Sequence, residues 1–339
     1  MEFRRRFYSL GVLLGVLALG FQLPTTAQAQ TLTEDQLTAF NFRSIGPTRQ
    51  SGRFVDFAVP LQQPGTFYAA TGSGHLWKTQ NHGLTYEVLF ENESVHSIGD
   101  IAVAPSDPNI LYLGSGEANN SRSTYWGDGV YKSTDAGQTW TNMGLPESHH
   151  IGRIVVHPND PNVVYVAALG HLYSENPERG LYRSTNGGRS WDQVLAPEVR
   201  GKTIGVVDVA MDPVNPNVLY AATFDKVRVP WSYDLAGPGS RVYKTTDGGD
   251  NWEMLTNGLP EGMLGRIGVS IYLRDPNIVY LTIENGNKPG MSDEDRYQEL
   301  MTHQSSRGMV GGEIYRSDDA GATWRKANPE DQPIGGGPA

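Results

Sequence analysis

Four octads align residue for residue along this chain: STDAGQTW (133–140), STNGGRSW (184–191), TTDGGDNW (245–252) and SDDAGATW (317–324). A looser copy, TQNHGLTY (79–86), precedes them and keeps the hydroxyl, the Asn or Asp, the glycine and a terminal aromatic. A pattern repeated at such intervals is the signature of stacked supersecondary units, so it constrains the fold before any single segment is read.

Each octad has a local physical logic. Its Asp or Asn (Asn81, Asp135, Asn186, Asp247, Asp319) can accept main-chain hydrogen bonds and close a turn. A glycine two residues on supplies a positive φ without steric cost. The terminal aromatic (Tyr86, Trp140, Trp191, Trp252, Trp324) is expected to fold over its turn and bury apolar area. A carboxylate that two copies replace by Asn reads as a structural group rather than a catalytic or metal-binding one.

A second element recurs upstream of each octad: Asp107-Pro108-Asn109, Asp160-Pro161-Asn162, Asn215-Pro216-Asn217 and Asp275-Pro276-Asn277, each just before a tyrosine. Gln63-Pro64-Gly65 is the loose first copy. These are tight turns between two alternating apolar runs, hence between two strands. Each unit therefore reads as strand A, a Pro turn, strand B, a variable loop, strand C, the octad turn and strand D: a four-stranded antiparallel blade. The predicted fold is an all-β propeller with blades at about 52–93, 97–145, 150–199, 203–259 and 264–328. Residues 30–51 form an N-terminal segment and 329–339 a Gly/Pro-rich tail. With no closing strand visible after the fifth blade, the expectation is an incomplete ring of a larger propeller, its first strand A and its last face uncovered and apolar.

Arg4, Arg5 and Arg6, an apolar run over 7–21 and small residues ending at Ala29 predict a signal peptide over 1–29, with cleavage after Ala29 and a secreted or periplasmic product. Cleavage removes three arginines and one glutamate, so the formal net charge goes from −10 to −12. An acidic chain is a poor match for nucleic acid, and no membrane insertion is expected after cleavage. The absence of cysteine excludes disulfides, thiolate nucleophiles and cysteine metal sites. No phosphate-cradling loop, helical zinc-type His pair or nucleophile elbow appears, so neither cofactor nor metal is expected.

The octads resemble the Asp-box (BNR) repeats shared by bacterial sialidases, xyloglucan-hydrolysing glycosidases, photosystem-assembly propellers and the luminal domain of sortilin. Phe42-Arg43-Ser44-Ile45-Gly46-Pro47 with Gly52-Arg53, Gly114-Ser115-Gly116-Glu117 leading to Gly127-Asp128-Gly129, and Glu178-Arg179-Gly180 narrow the likeness. They resemble large exported bacterial proteins of the sortilin-type, glycosyl hydrolase-like family over 42–324. The resemblance implies that Pro turns and Asp boxes share one face, leaving the B-to-C loops and the entries into strand A on the other.

Loops on a rigid scaffold carry function. The B-to-C loops at 117–128, 170–180, 224–241 and 284–312 hold Arg122, Trp126, Arg179, Trp231 and Arg241, which with Arg153 are the candidate ligand-binding residues. Aromatics mixed with charge suit a glycan, or a peptide or protein ligand, and a binding module is the leading expectation. The alternative is a glycoside hydrolase, with its two carboxylates drawn from Asp100, Glu117, Asp208 and Glu284. Asp56, Asp100, Arg153, Asp208 and Gly268 share one register on the innermost strands, predicting a charged ring at a channel mouth. Glu117 and Arg179 are expected to be exposed, so that Glu117→Gln and Arg179→Ala would leave stability unchanged.

Overall fold

The computed structural model describes residues 52–119, 124–229, 232–234, 236–302 and 310–329. The signal peptide, the 30–51 segment, most of the tail, Arg122 and Trp231 lie outside them. Within them the chain forms five four-stranded antiparallel sheets, each ordered A-B-C-D from the innermost strand outward. Blade 1 comprises Phe54–Ala58, Phe67–Thr71, Leu76–Thr79 and Glu87–Leu89, and blade 2 Ile98–Val103, Leu111–Ser115, Val130–Ser133 and Thr141–Asn142. Blade 3 comprises Ile151–Val156, Val164–Ala168, Gly180–Ser184 and Asp192–Leu195. Blade 4 comprises Gly205–Met211, Leu219–Phe224, Val242–Thr245 and Glu253–Leu255, and blade 5 Leu264–Ile271, Val279–Asn285, Gly311–Ser317 and Arg325–Lys326.

The octad turns close as their chemistry predicts. In blade 2, Ser133 Oγ donates to Asp135 Oδ1 (2.7 Å), and that oxygen accepts from Thr139 N (2.9 Å) while Oδ2 accepts from Thr139 Oγ1 (2.6 Å). Gly137, at φ 91°, donates its N–H to Ser133 Oγ (2.8 Å). The same set recurs around Asp247 and Asp319, and around Asn186 with its Nδ2 donating to Ser190 Oγ (2.8 Å) where Asp135 Oδ2 accepts. One feature was not legible: the residue after the Asp also takes a positive φ, and in three copies it is His82, Ala136 or Ala320 rather than glycine.

The core is cut into slabs, one between each consecutive pair of blades. Between blades 1 and 2 it gathers Tyr68, Leu76, Phe90, Ile98, Ile101 and Leu113, with Trp140 packed against them. Trp191, Trp252 and Trp324 seal the next three slabs. Two of them also cover their own turn, as expected: Trp252 and Trp324 donate their indole N–H to Gly249 O and Gly321 O of the same octad (3.1 Å each). Trp191 reaches into the preceding blade and donates its indole N–H to Met143 O (2.8 Å).

Two further devices join neighbouring blades. The strand-B tyrosine donates a hydrogen bond from its hydroxyl to a turn carbonyl of the next blade: Tyr68 to Ala136 (3.0 Å), Tyr112 to Pro161 (2.8 Å), Tyr165 to Gly248 (2.7 Å) and Tyr220 to Ala320 (2.7 Å). A strand-C cation reaches the same octad turn, as Lys78 does at Ala136 (3.1 Å) and Lys244 at Ala320 (2.7 Å). The second device is an irregularity in the innermost strand just before the charged register, seen between Ile98 and Asp100 and between Val206 and Asp208. Such a bulge re-aims the residue that follows it. At Gly99 the main chain of blade 3 comes so close that a Cβ would strike Ile151 O.

Three inserted pieces depart from plain blades. A hairpin, Glu198–Val199 with Lys202–Thr203, precedes blade 4, and another, Val227–Val229 with Ser232–Asp234, occupies its B-to-C loop. The acidic run at 293–295 opens a helix, Asp293–Thr302, whose first turn Ser292 caps by accepting from Asp295 N (3.1 Å). Acidic residues there complement the helix dipole. Among the described residues no helix is long and apolar enough to cross a membrane.

Candidate functional site

The charged register closes into one network. Arg153 Nη1 lies 3.2 Å from Asp100 Oδ1 and 3.6 Å from Asp56 Oδ1, and its Nε lies 3.2 Å from Asp208 Oδ1. Each carboxylate also reaches the next blade's innermost strand: Asp100 Oδ2 accepts from Ile154 N (2.7 Å), Asp208 Oδ2 from Val269 N (2.9 Å), and Asp56 from the Ile101 amide. The ring is therefore a set of inter-blade staples, with Gly268 as its missing fifth side chain. Burial pushes Asp100 well above the usual carboxylate range, opposed by Arg153 and reinforced by Asp56. Burial also raises Asp56. The guanidinium side chain of Arg153 stays 40% exposed, so water reaches the ring.

The loop residues divide differently from the sequence-based expectation. Glu117 is 1% exposed: it is ion-paired with Arg53, accepts a hydrogen bond from Arg53 Nε (2.7 Å), and packs its carboxylate on Gly72. Arg179 is 5% exposed and donates to His171 O (2.6 Å), Ser174 O (2.8 Å) and Asn176 Oδ1 (3.3 Å). Both were expected on an exposed surface; both are instead struts, because a loop that leaves a propeller must satisfy its own carbonyls. Arg241 spends its donors on Ser240 O (2.7 Å) and Gly262 O (3.2 Å). Glu284 sits inside strand B of blade 5, paired with Gly312, and not in a loop; burial raises its pKa.

The aromatics remain exposed. Trp126 is 67% exposed, Tyr173 60% and Tyr125 41%. Trp126 stacks on His149 (centroids 6.2 Å), and His149 stacks on His171 (3.8 Å, 22° between planes). This row joins the blade 2 loop, the entry into blade 3 and the blade 3 loop.

Sequence reasoning missed His149 and His171, which lie too far apart in the chain for a ligand motif. Among the described residues the one group able to hold a metal ion is Glu147, His149 and His171. It also missed Lys226, which is 7% exposed with no hydrogen bond to its Nζ and whose pKa burial drives well below the usual lysine value. Nothing in its local sequence marks a buried lysine.

A sequence profile of the Sortilin-Vps10 family, described as sortilin, neurotensin receptor 3, matches residues 128–290. The chain is an Asp-box β-propeller similar to the sortilin-type and glycosyl hydrolase-like proteins of that fold. This propeller is 28% identical over 247 residues to a Paenibacillus xyloglucanase, covering 66% of the chain and 22% of that enzyme. It is 28% identical over 215 residues to the xyloglucanase Xgh74A of Acetivibrio thermocellus, 56% of the chain and 23% of the relative. Its fold matches the GH74 xyloglucanase of Xanthomonas campestris with a TM-score of 0.55 at 18% identity, over 80% of this chain and 38% of that one. The GH74 enzyme of Niastella koreensis matches at 0.56 and 19% over the same shares. The propeller thus spans about a fifth to two fifths of the length of these relatives.

Proposed function

We propose that the propeller serves a glycoside hydrolase acting on a polysaccharide of the xyloglucan class, and that its own share is to hold glycan on the B-to-C loop face. The observation that carries this reading is the exposed row of Trp126, His149 and His171, flanked by Tyr125 and Tyr173. Flat aromatic faces stack on sugar rings, and here they are the groups left over when Arg179, Arg241 and Glu117 have been spent on the scaffold. The xyloglucanase names of the relatives support the substrate class. This moves the reading from a stand-alone binding module toward the hydrolase alternative. Export by the predicted signal peptide suits it too, since a polysaccharide must be met outside the cell.

Hydrolysis by the chain itself is the second reading, favoured by Asp100 and Asp208 meeting on one guanidinium. That arrangement keeps the two carboxylates within the roughly 10 Å spanned by catalytic pairs of glycosidases. The 2% exposure of Asp100 weighs against it. Affinity electrophoresis in xyloglucan gels, run beside a reducing-end assay, tests both. The glycan reading expects retardation that Trp126→Ala removes, and a protein that ran freely through xyloglucan would contradict it. Reducing ends released by the parent and not by Asp100→Asn would establish the second reading.

A further inference from the structure

Glu147 and His149 lie at the entry into blade 3, and His171 opens the B-to-C loop of the same blade. One ligand atom from each lies within 4.8 Å of the other two. His171 Nε2 is 2.7 Å from Glu147 Oε2, and His149 Nε2 is 3.9 Å from the same oxygen.

The surrounding main chain holds these three in place. His149 closes a short turn, Pro146–Ser148, at φ 49° and ψ −41°, a conformation that a side-chain-bearing residue keeps only when its neighbours impose it. Its carbonyl accepts from Gly127 N (2.7 Å). Glu147 is tied at both main-chain polar atoms, donating to Glu178 Oε2 (2.8 Å) and accepting from Asn176 Nδ2 (2.8 Å). The oxygen of the same Asn176 accepts from His171 N (2.8 Å), so one amide side chain locks the two loops together. The second nitrogen of His171, Nδ1, lies 2.9 Å from Ser174 Oγ. A partner of that kind on the far nitrogen is what fixes ring orientation in metal-binding histidines.

We propose that Glu147, His149 and His171 form a divalent-cation site, suited to zinc or a metal of similar softness. Two imidazole nitrogens and one carboxylate are a donor set that zinc takes, with a fourth position left to water or ligand. Tetrahedral zinc with bonds of about 2.0 to 2.1 Å needs its ligand atoms roughly 3.3 Å apart, so the 2.7 Å His171–Glu147 contact must open and the 3.9 Å His149–Glu147 distance close by about 0.6 Å each, while the two stacked imidazoles tilt apart to point both Nε2 atoms at the ion. Glu147, whose side chain is 56% exposed, is free to swing, and the imidazoles, at 24% and 21%, face solvent without being surrounded by it. The site stands apart from the glycan reading: a propeller that bound no xyloglucan would still bind the ion.

The test uses the untagged full chain, stripped with chelator and titrated with Co2+ and then Zn2+. One equivalent of Co2+ is expected to raise visible d–d bands, which one equivalent of Zn2+ then bleaches, and calorimetry with Zn2+ alone should give a single site. His149→Ala and His171→Ala should each weaken binding at least 100-fold, and Asn176→Ala, a positioning residue, about 10-fold. His82→Ala, at an exposed position where two other octads carry alanine, should change nothing. Circular dichroism of the metal-free variants checks folding, and His171→Ala, whose side chain supports no main-chain turn, serves should His149→Ala misfold. A titration without stoichiometric binding, or binding that survives the loss of His171, overturns the proposal.

Discussion

Residues at one position of the repeat have different fates inside the propeller and on its first face. Ile101, Ile154 and Val209 follow the charged register in blades 2, 3 and 4 and are 3%, 3% and 2% exposed. Phe57 occupies the same position in blade 1 and is 55% exposed, beside Phe54 at 61%. Tyr68, Tyr112, Tyr165 and Tyr220 anchor to the following blade, whereas Tyr280 in blade 5 accepts from Arg316 of its own sheet (2.8 Å). The repeat thus encodes half an interface on each side of a blade. A residue contributes stability when the complementary half is present, and the same side chain is surface when it is not.

That contrast orders the expected effects of substitution. Trp191→Ala, which opens the slab between blades 2 and 3, should cost about 3 to 5 kcal/mol in urea unfolding. Tyr86→Ala, its blade 1 counterpart at 48% exposure, should cost less than about 1 kcal/mol. Equal losses would mean that the octad aromatic acts mainly through its own turn and not through the slab between blades. Ile154→Ala should cost about 2 to 5 kcal/mol, against roughly 0.5 for Phe57→Ala. Tyr165→Phe should cost about 1 kcal/mol, because it removes a buried hydrogen bond while Arg183 Nη1 (2.8 Å) keeps Gly248 O paired, and Tyr280→Phe should be near neutral.

The smallest effect is in the acid limb. Hydrogen bonds from the Thr139 side chain and amide hold Asp135 down to about 2, below its ordinary 3.8, and Thr323 does the same for Asp319. A carboxyl with a depressed folded pKa adds stability above pH 4 that is lost as pH falls toward 2. Asp100, raised by burial, has the opposite sign: its contribution is present below its unfolded pKa and is lost as pH rises through the folded one. Asp135→Asn should therefore flatten the fall in melting temperature between pH 4 and 2. Asp100→Asn should remove the decline in stability as pH rises through that window. The reverse pattern would undo the assignment of turn and ring.

The fold was legible because the octad and the Pro turn are local devices: Asp135, Gly137 and Pro108 act on main chain within a few residues. The register of Asp100, Arg153 and Asp208 was also countable, since strand length fixes the offset from the following tyrosine. What the ring does was not countable, because Asp100 acts on Ile154 across a sheet boundary. The site was less legible still. Glu117 and Arg179 look like loop chemistry in sequence, yet their partners, Arg53 and the carbonyls of His171 and Ser174, appear only when the loops fold back. His149 and His171 escaped because adjacency across two loops leaves no periodic trace.

The account separates tryptophans that hold the blades from one that meets ligand, and Trp191 against Trp126 tests it most directly. Thermal melting and retardation in xyloglucan gels should be measured on Trp191→Ala and Trp126→Ala side by side. Trp191→Ala should melt several degrees lower while its folded fraction is retarded like the parent. Trp126→Ala should melt within about a degree of the parent, as exposed loop substitutions do, and run unretarded. A Trp126→Ala protein that melts as low as Trp191→Ala, or that is retarded as strongly as the parent, would contradict it.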